Sequence, residues 1–384
     1  MIPPTHDNAI LNQDVRWGEF EIGDLFKIKG NPQLNKNKFV FSENGQYPYF
    51  TRTLDNNGIL GYVDYLDDEH KINGNSIAVG MLGMKFFYMK HDFYAGQFTK
   101  TVFATFEQLN REIALYFTTI FNKNSGLYQS ELIRKLEELF TKTKIQLPVI
   151  ENGLPNFEYM ESYINHIENE YIVNLEKERN IILNAYLKAA SLTFYELDSE
   201  DKEILAFEPQ WGEFRIGDLF DTIKRGKRIK SIDRISGNLP FITAGAIERG
   251  FSSYIGNPEA EIFPKNSLTI DMFGTVFYRG YEYGADDHVA VLYNKAAKYS
   301  KEALIYMGVC IEKSISGKFS YSRNFYASDA YDAVVMLPET KNETPDFVYM
   351  ESYINAHKKL AIENKIRGFD LKINAAKFII QKRV

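Results

Sequence analysis

Cysteine is nearly missing: Cys310 stands alone among 384 residues, so no internal disulfide can form and no zinc site can be built from thiolates. Nothing asks for an oxidising compartment, and a cytoplasmic protein is expected. Long hydrophobic runs are missing too. No window approaches the ~18 uninterrupted apolar residues of a membrane span, and Met1 to Asn8 carry no basic stretch followed by an apolar one. Neither a spanning helix nor a signal peptide is expected. The sequence also lacks Gly-x-x-x-x-Gly-Lys-Ser/Thr, a Gly-x-Gly-x-x-Gly after a strand, His-Glu-x-x-His and Gly-x-Ser-x-Gly. Its six histidines are dispersed. His288 follows Asp286-Asp287 but has no second histidine nearby, and reads as a turn residue rather than a metal ligand. Glu259-Ala260-Glu261 and Asp67-Asp68-Glu69 read as solvated turns. No catalytic residue, metal site or cofactor of the chain's own is therefore expected.

What is there is a chain written twice. Trp17-Gly18-Glu19-Phe20-Glu21-Ile22-Gly23-Asp24-Leu25-Phe26 returns 194 residues later as Trp211-Gly212-Glu213-Phe214-Arg215-Ile216-Gly217-Asp218-Leu219-Phe220, with nine identities in ten. Tyr159-Met160-Glu161-Ser162-Tyr163-Ile164-Asn165 returns unchanged at Tyr349 to Asn355, with Pro155/Phe157 and Pro345/Phe347 ahead of the two copies. A repeat of this period fixes the architecture before any local assignment. Between these landmarks the match thins to points such as Gly58 against Gly250 and Asn75-Ser76 against Asn266-Ser267. Each half has near-identical ends and a divergent middle.

From Phe157 the apolar residues Met160, Ile164, Ile167, Tyr171 and Leu175 fall at steps of three and four, predicting a helix to about Leu192. Phe347, Met350, Ile354, Ile362, Ile366, Phe369, Ile373, Ala376 and Ile380 predict a second, interrupted around His357 to Ala361 and weak at Gly368. Helices this long want partners, and the nearest equal partner is the repeat copy, as in a coiled coil. The middles read as mixed structure with short strands at Ser76–Val79, Ser267–Ile270 and Val289–Leu292, and one shorter helix each, near Glu107–Asn122 and Ser300–Glu312. The expected class is α+β: two mixed α/β domains joined by two long antiparallel helices in a pseudo-twofold duplicated arrangement. Residues 1–151 form the first globule, 152–195 the first long helix, 196–210 an exposed acidic linker, 211–343 the second globule and 344–384 the second helix.

The chain is acidic overall, with 45 basic against 51 acidic residues and a net charge of −6, but the charge is uneven. Lys27, Lys29, Lys36 and Lys38 lie in a stretch without an acid. The matching stretch has Lys224, Arg225, Lys227, Arg228, Lys230 and Arg234 against Asp221 and Asp233, and the balance is +4 in each copy. A sign kept while residues change suits phosphate neutralisation, which supplies most nucleic-acid affinity. Arg52, Lys85, Arg249 and Arg279 add donors, with Gln33, Asn37, Gln97 and Ser320 able to read base edges. The clusters Phe86-Phe87-Tyr88, Tyr278-Tyr281-Tyr283 and Phe319-Tyr321-Phe325 read first as core and turn packing.

The duplicated opening, the closing Pro-x-Phe-x-Tyr-Met-Glu-Ser-Tyr-Ile and the Phe319-Ser320-Tyr321 near the end of the second globule together resemble the specificity (S) subunits of restriction-modification systems. The resemblance is to the Type I kind or the similar Type IIB kind, and it covers nearly the whole chain. The first copy departs from it with Ser125-Gly126-Leu127-Tyr128 in place of Ser-x-Ser-Gly-Lys-Phe-Ser-Tyr. The resemblance implies two target-recognition domains, each reading half of a bipartite duplex DNA site, with Ser320 and Tyr321 on the reading surface of the second. It implies helices that set the spacing and bind two methyltransferase subunits, placing Tyr159, Glu161, Tyr163, Tyr349, Glu351 and Tyr353 at that interface. Those partners would use S-adenosylmethionine in DNA methylation; this chain would not. Whether a restriction subunit joins them stays open. The rivals are a stand-alone enzyme such as a nuclease, which a metal-dependent cleavage assay would expose, and a duplicated protein- or carbohydrate-binding module, which would ignore duplex DNA.

Overall fold

In the computed structural model, which describes residues 14–129, 135–296 and 298–381, the repeated landmarks become the same elements twice. The opening Met1 to Asn8 lies outside the described residues. The chain divides into two compact units, one ending at Glu176 and resumed at Ala375, the other Lys177–Asn374.

In the first unit β1 (Arg16–Glu21) leads into the one-turn α1 (Ile22–Leu25) and β2 (Phe26–Gly30). The strands β3 (Tyr47–Phe50), β4 (Ile59–Val63), β5 (Ser76–Gly80), β6 (Lys85–Met89), β7 (Tyr94–Ala95) and β8 (Thr99–Ala104) follow. After them come α2 (Arg111–Lys123), α3 (Ser125–Gln129), α4 (Leu136–Lys142), β9 (Lys144–Val149) and the long α5 (Phe157–Ala190). The strands make an antiparallel sheet in the order β2-β8-β5-β6, a three-stranded sheet β4-β3-β7 and the pair β1-β9. Helix α2 is capped by Asn110, whose side chain accepts from Ile113 N at 2.9 Å. It lays Ile113, Phe117 and Phe121 on the larger sheet, where Phe26, Phe86 and Phe140 are fully buried with them. Phe26 meets Phe117 edge to face at 4.8 Å between ring centroids, and this core accounts for much of the aromatic excess.

The second unit repeats the plan. Helix α6 (Ser199–Ala206) precedes β10 (Trp211–Arg215), α7 (Ile216–Leu219), β11 (Thr222–Arg225), β12 (Ser236–Ile242) and β13 (Phe251–Ile255). Then come β14 (Ser267–Asp271), β15 (Val276–Arg279), β16 (Gly284–Ala285), β17 (Val289–Tyr293), α8 (Lys301–Ile315), α9 (Ala327–Asp332), β18 (Val334–Pro338) and α10 (Phe347–Gln381). The sheet orders are β11-β17-β14-β15, β13-β12-β16 and β10-β18, matching the first unit strand for strand. The chain is α+β.

The turns repeat as well. Thr51 N donates to Gly58 O at 2.7 Å, and Thr243 N to Gly250 O at 2.8 Å. Gly58 and Gly250 have φ of 79° and 76°, and each follows two residues that also lie in the left-handed region, Asn56-Asn57 and Glu248-Arg249. A Cβ on Gly58 would lie 2.3 Å from Phe50, and one on Gly250 2.5 Å from Thr243 O, so both copies keep glycine there.

Three expectations change. The linker 196–210 is not plain exposed chain, because α6 forms within it behind an Asp198 capping box. The second long helix runs unbroken from Phe347 to Gln381, through His357 and Gly368. The apolar stripe of α5 is not a buried seam throughout. Met160 is fully buried in its own globule, but Ile167 and Tyr171 are 43% and 57% exposed. Burial of Met160 and, in α10, of Met350 fixes the first turns of each helix on its own domain. Farther along, the two helices touch. In the second unit Arg179 bonds Asp370 at 2.6 Å and Lys358 reaches Ala190 O at 3.5 Å, with partners in opposed order along the two helices. In the first unit Lys377 bonds Glu176 at 2.6 Å.

Candidate nucleic-acid interface

The basic stretch of the first unit begins on β2, where Lys27 and Lys29 alternate with the buried Phe26 and Ile28. Period-two alternation sends both ammoniums off the same face, with Lys29 5.9 Å from the Phe103 ring centroid. The chain then pins Leu34 inside: its carbonyl accepts the Tyr49 hydroxyl at 2.8 Å. Gln33, Lys36 and Lys38 flank that anchor, exposed, the latter two on a 3₁₀ turn capped by Asn35. Arg52 follows β3, Lys85 opens β6, and both are exposed. The fold brings Lys36, Arg52 and Gln97 together around a concavity of about 570 Å³, which Lys27, Lys29 and Lys85 do not line.

In the second unit Lys224, Arg225 and Lys227 are exposed but occupied. Lys224 is bonded to Glu261 at 2.5 Å, which raises its amine above the usual lysine range. Arg225 donates to the carbonyl and carboxylate of Asp287 and lies 5.5 Å from the Tyr326 ring centroid. Lys227 reaches Glu259 O at 3.4 Å. Arg228 and Lys230 are exposed. Glu261 and Asp287, which read as turn residues, are thus the counter-charges of Lys224 and Arg225. Asp286, Asp287 and His288 do come within 4.8 Å of one another; Arg225 partners that group in the fold.

Arg249 is exposed, but Arg279 is not available as a donor to a ligand. It is 1% exposed, and its guanidinium donates to Thr269 Oγ1 at 3.0 Å, Tyr281 Oη at 3.3 Å and Arg249 O at 2.7 Å. A buried guanidinium needs such partners, and here it holds the left-handed turn that presents Arg249. Ser320 and Arg323 exchange backbone hydrogen bonds across a tight turn, leaving Tyr321 84% exposed and edge-on to Phe273 at 5.0 Å. Phe325 N donates to Met272 O at 2.9 Å, so this loop lies beside the β14–β15 turn. In the first copy the divergent Ser125–Gln129 is helical, and residues 130–134 lie outside the described residues.

One organising residue has no obvious linear signal beyond closing an apolar strand. Asp271, 4% exposed, accepts from Gly245 N, Phe273 N and Thr275 N, each at 2.9 Å. It ties the loop after β12 to the β14–β15 turn.

The Tyr-Met-Glu-Ser-Tyr copies dock each long helix to its own globule. Tyr349 is 6% exposed and its hydroxyl donates to Phe207 O at 3.4 Å. Tyr353 lies 5.5 Å edge-on to Tyr306. Tyr163 packs edge-on to Tyr116 at 5.8 Å, burial pushing the Tyr116 hydroxyl up to about 12. Tyr159 stacks on Tyr163, and Glu161 accepts from Asn110 at 2.9 Å. Glu351 stays half-buried. Tyr349 at least is spent inside the chain, because the segment must bury aromatic surface against its own core.

Residues 14–177 and 208–367 each match the family model described as Type I restriction modification DNA specificity domain. A specificity subunit of a Type II restriction enzyme, S.BcgI of Heyndrickxia coagulans, is 26% identical over 364 residues, covering 93% of this chain and 98% of that protein. Among solved structures, the HsdS subunit from Thermoanaerobacter tengcongensis is 12% identical with a TM-score of 0.47 over 96% of both chains. The S subunit of a Type I system from M. genitalium is 17% identical with a TM-score of 0.36, over 97% of this chain and 96% of that one.

Proposed function

The chain belongs to the Type I restriction-modification DNA specificity family, with one family domain in each half, and from that premise we propose how the halves divide the work. It is a specificity subunit of a restriction-modification system with two DNA-recognition domains. Each domain reads one half of a bipartite duplex site. The observation that carries this is the pairing of one strand plan, repeated twice, with loops whose residues differ between the copies. A shared scaffold lets both domains approach the duplex alike, and different loops let them read different bases.

Lys27, Lys29, Lys36, Lys38 and Lys85 in the first domain, and Lys224, Arg225, Lys227, Arg228, Lys230 and Arg249 in the second, serve phosphates. Gln33, Arg52, Ser320 and Tyr321 face base edges. The long helices pair antiparallel in a pseudo-twofold arrangement that sets the spacing between half-sites. The bonds of Arg179 with Asp370 and of Lys358 with Ala190 support that pairing. Two methyltransferase subunits dock on the helices, for which the exposed Ile167 and Tyr171 of α5 offer apolar surface. S-adenosylmethionine chemistry belongs to those partners, and this chain is non-catalytic and cytoplasmic. Among the described residues no helix is long and apolar enough to cross a membrane.

Reconstitution tests the proposal. The purified chain, supplied with S-adenosylmethionine or a divalent metal, is expected neither to methylate nor to cleave DNA, and methylation of a bipartite site is expected once methyltransferase subunits are added. Turnover by the chain alone would overturn it.

A further inference from the structure

We propose that Arg52 is a base-reading residue of the first domain and that it recognises guanine from the major groove; the assignment rests on the DNA-reading function above. Arg52 borders the concavity of about 570 Å³ that it shares with Lys36, Thr51, Leu82 and Gln97. Its guanidinium is exposed, and among the described residues no carboxylate pairs with it. It lies against the Phe98 ring, 5.5 Å away, a face that orients the guanidinium plane without consuming its donors. Lys224 and Arg225 of the second domain differ in this respect, since they are already bonded to acids.

The backbone under Arg52 is tied down. Thr51 N donates to Gly58 O at 2.7 Å, Gly58 N to Asp55 O at 2.9 Å, Thr53 N to Thr51 Oγ1 at 3.4 Å and Asp55 N to Thr53 Oγ1 at 3.3 Å. The loop also lies against β5 so closely that a Cβ on Gly80 would come within 2.8 Å of Arg52 Cα. A reader held this way loses less conformational entropy on engaging a base. Chemistry selects the base: a guanidinium fork matches the paired O6 and N7 acceptors that guanine alone presents in the major groove.

The two domains differ at this point. The shared turn aligns Arg52 with Ala244, and the Asn75-Ser76/Asn266-Ser267 register aligns Gly80 with Asp271, whose carboxylate is occupied by three backbone N–H groups. The guanine interaction is therefore a property of the first half-site only.

The test is selection from a randomised duplex library by the complex of the full chain with its methyltransferase subunits, comparing wild type with Arg52→Ala, Arg52→Lys and Lys27→Ala. Wild type is expected to demand a G·C pair at one position of one half-site. Arg52→Ala relaxes that position by about 5- to 150-fold, the worth of one bidentate base interaction, and leaves the other half-site unchanged. Arg52→Lys relaxes it in part, and Lys27→Ala lowers binding with the motif intact. A motif identical in wild type and Arg52→Ala, a uniform loss of affinity with the motif retained, or relaxation at a pair other than G·C would overturn the assignment alone. A wild-type complex that enriches no motif would overturn the DNA-reading function and this assignment with it.

Discussion

Glu168 of α5 accepts from both Nη atoms of Arg111, at 2.7 and 3.2 Å, and its counterpart in the second copy is the opposite charge, Lys358, bonded to Glu302. The same joint between short and long helix thus exists twice with its polarity reversed. Both short helices open on a basic residue followed by an acidic one, Arg111-Glu112 and Lys301-Glu302, so either sign on the long helix finds a partner. In the second copy burial pushes the Glu302 carboxyl up, but Lys358 outweighs it and holds the group below the usual range.

At this joint Glu168→Ala is expected to cost about 1–3 kcal/mol in urea unfolding, because it strips a charge-assisted pair from a half-buried guanidinium. The reversed copy predicts the ordering of variants. Glu168→Lys is expected to lose less than Glu168→Ala, since the new ammonium can share Glu112, which already accepts from Arg111 at 3.2 Å, as Lys358 uses Glu302 in the second copy. If Glu168→Lys proves the more damaging, the joint does not accept either polarity.

The docked α6 carries a pH prediction. Lys359 is 7% exposed, bonded to Asp201 at 2.5 Å and Asp198 at 3.4 Å, with the Phe194 ring centroid 4.2 Å away. The backbone N–H of Asp201, then Lys359, hold the Asp198 carboxyl below its ordinary value. Burial alone would lower the Lys359 amine, but Asp201 and Asp198 outweigh it and hold the amine higher. A depressed carboxyl stabilises fully above its unfolded value and loses this as pH falls through its folded one, so undocking is expected below about pH 4. A raised amine stabilises below its unfolded value and loses this as pH rises through its folded one, above about pH 10.4. Amide exchange across 199–206 should therefore stay slow between these limits, and Lys359→Met should make it fast at neutral pH. Equal exchange in the variant would show that packing alone holds α6.

Duplication was legible because it is written as identity, and the long helices because their spacing is. The strands around Ser76–Val79, Ser267–Ile270 and Val289–Leu292 form as β5, β14 and β17, runs whose β-rich composition has no helical competitor. The pairing of charges was not legible. Glu261 and Asp287 lie 37 and 62 residues from Lys224 and Arg225, and only the sheet brings them together. Arg279 reads as surface in one dimension, because nothing local announces Thr269, Tyr281 and the Arg249 carbonyl as its partners. Ile167 and Tyr171 of α5 misled for the opposite reason: periodicity reports which side of a helix is apolar, not what covers it.

The basic stretch of the second domain gives the last prediction. Replacing Lys224, Arg225, Lys227 and Arg228 with Ala should weaken duplex binding by the assembled complex similarly for specific and non-specific sequences. The slope of log affinity against log salt should flatten by up to ~0.9 for each phosphate that is no longer neutralised. Sequence preference should survive better than affinity, since base-edge interactions do the discriminating. Glu261→Ala should act in the opposite sense, because it frees the Lys224 amine that Glu261 now holds: tighter non-specific binding and a steeper slope. The two variants distinguish a phosphate-facing stretch from an internally compensated one. If the quadruple replacement leaves both affinity and slope unchanged, these side chains do not face phosphates, and the duplex must meet the second domain at the Arg249 and Tyr321 loops instead.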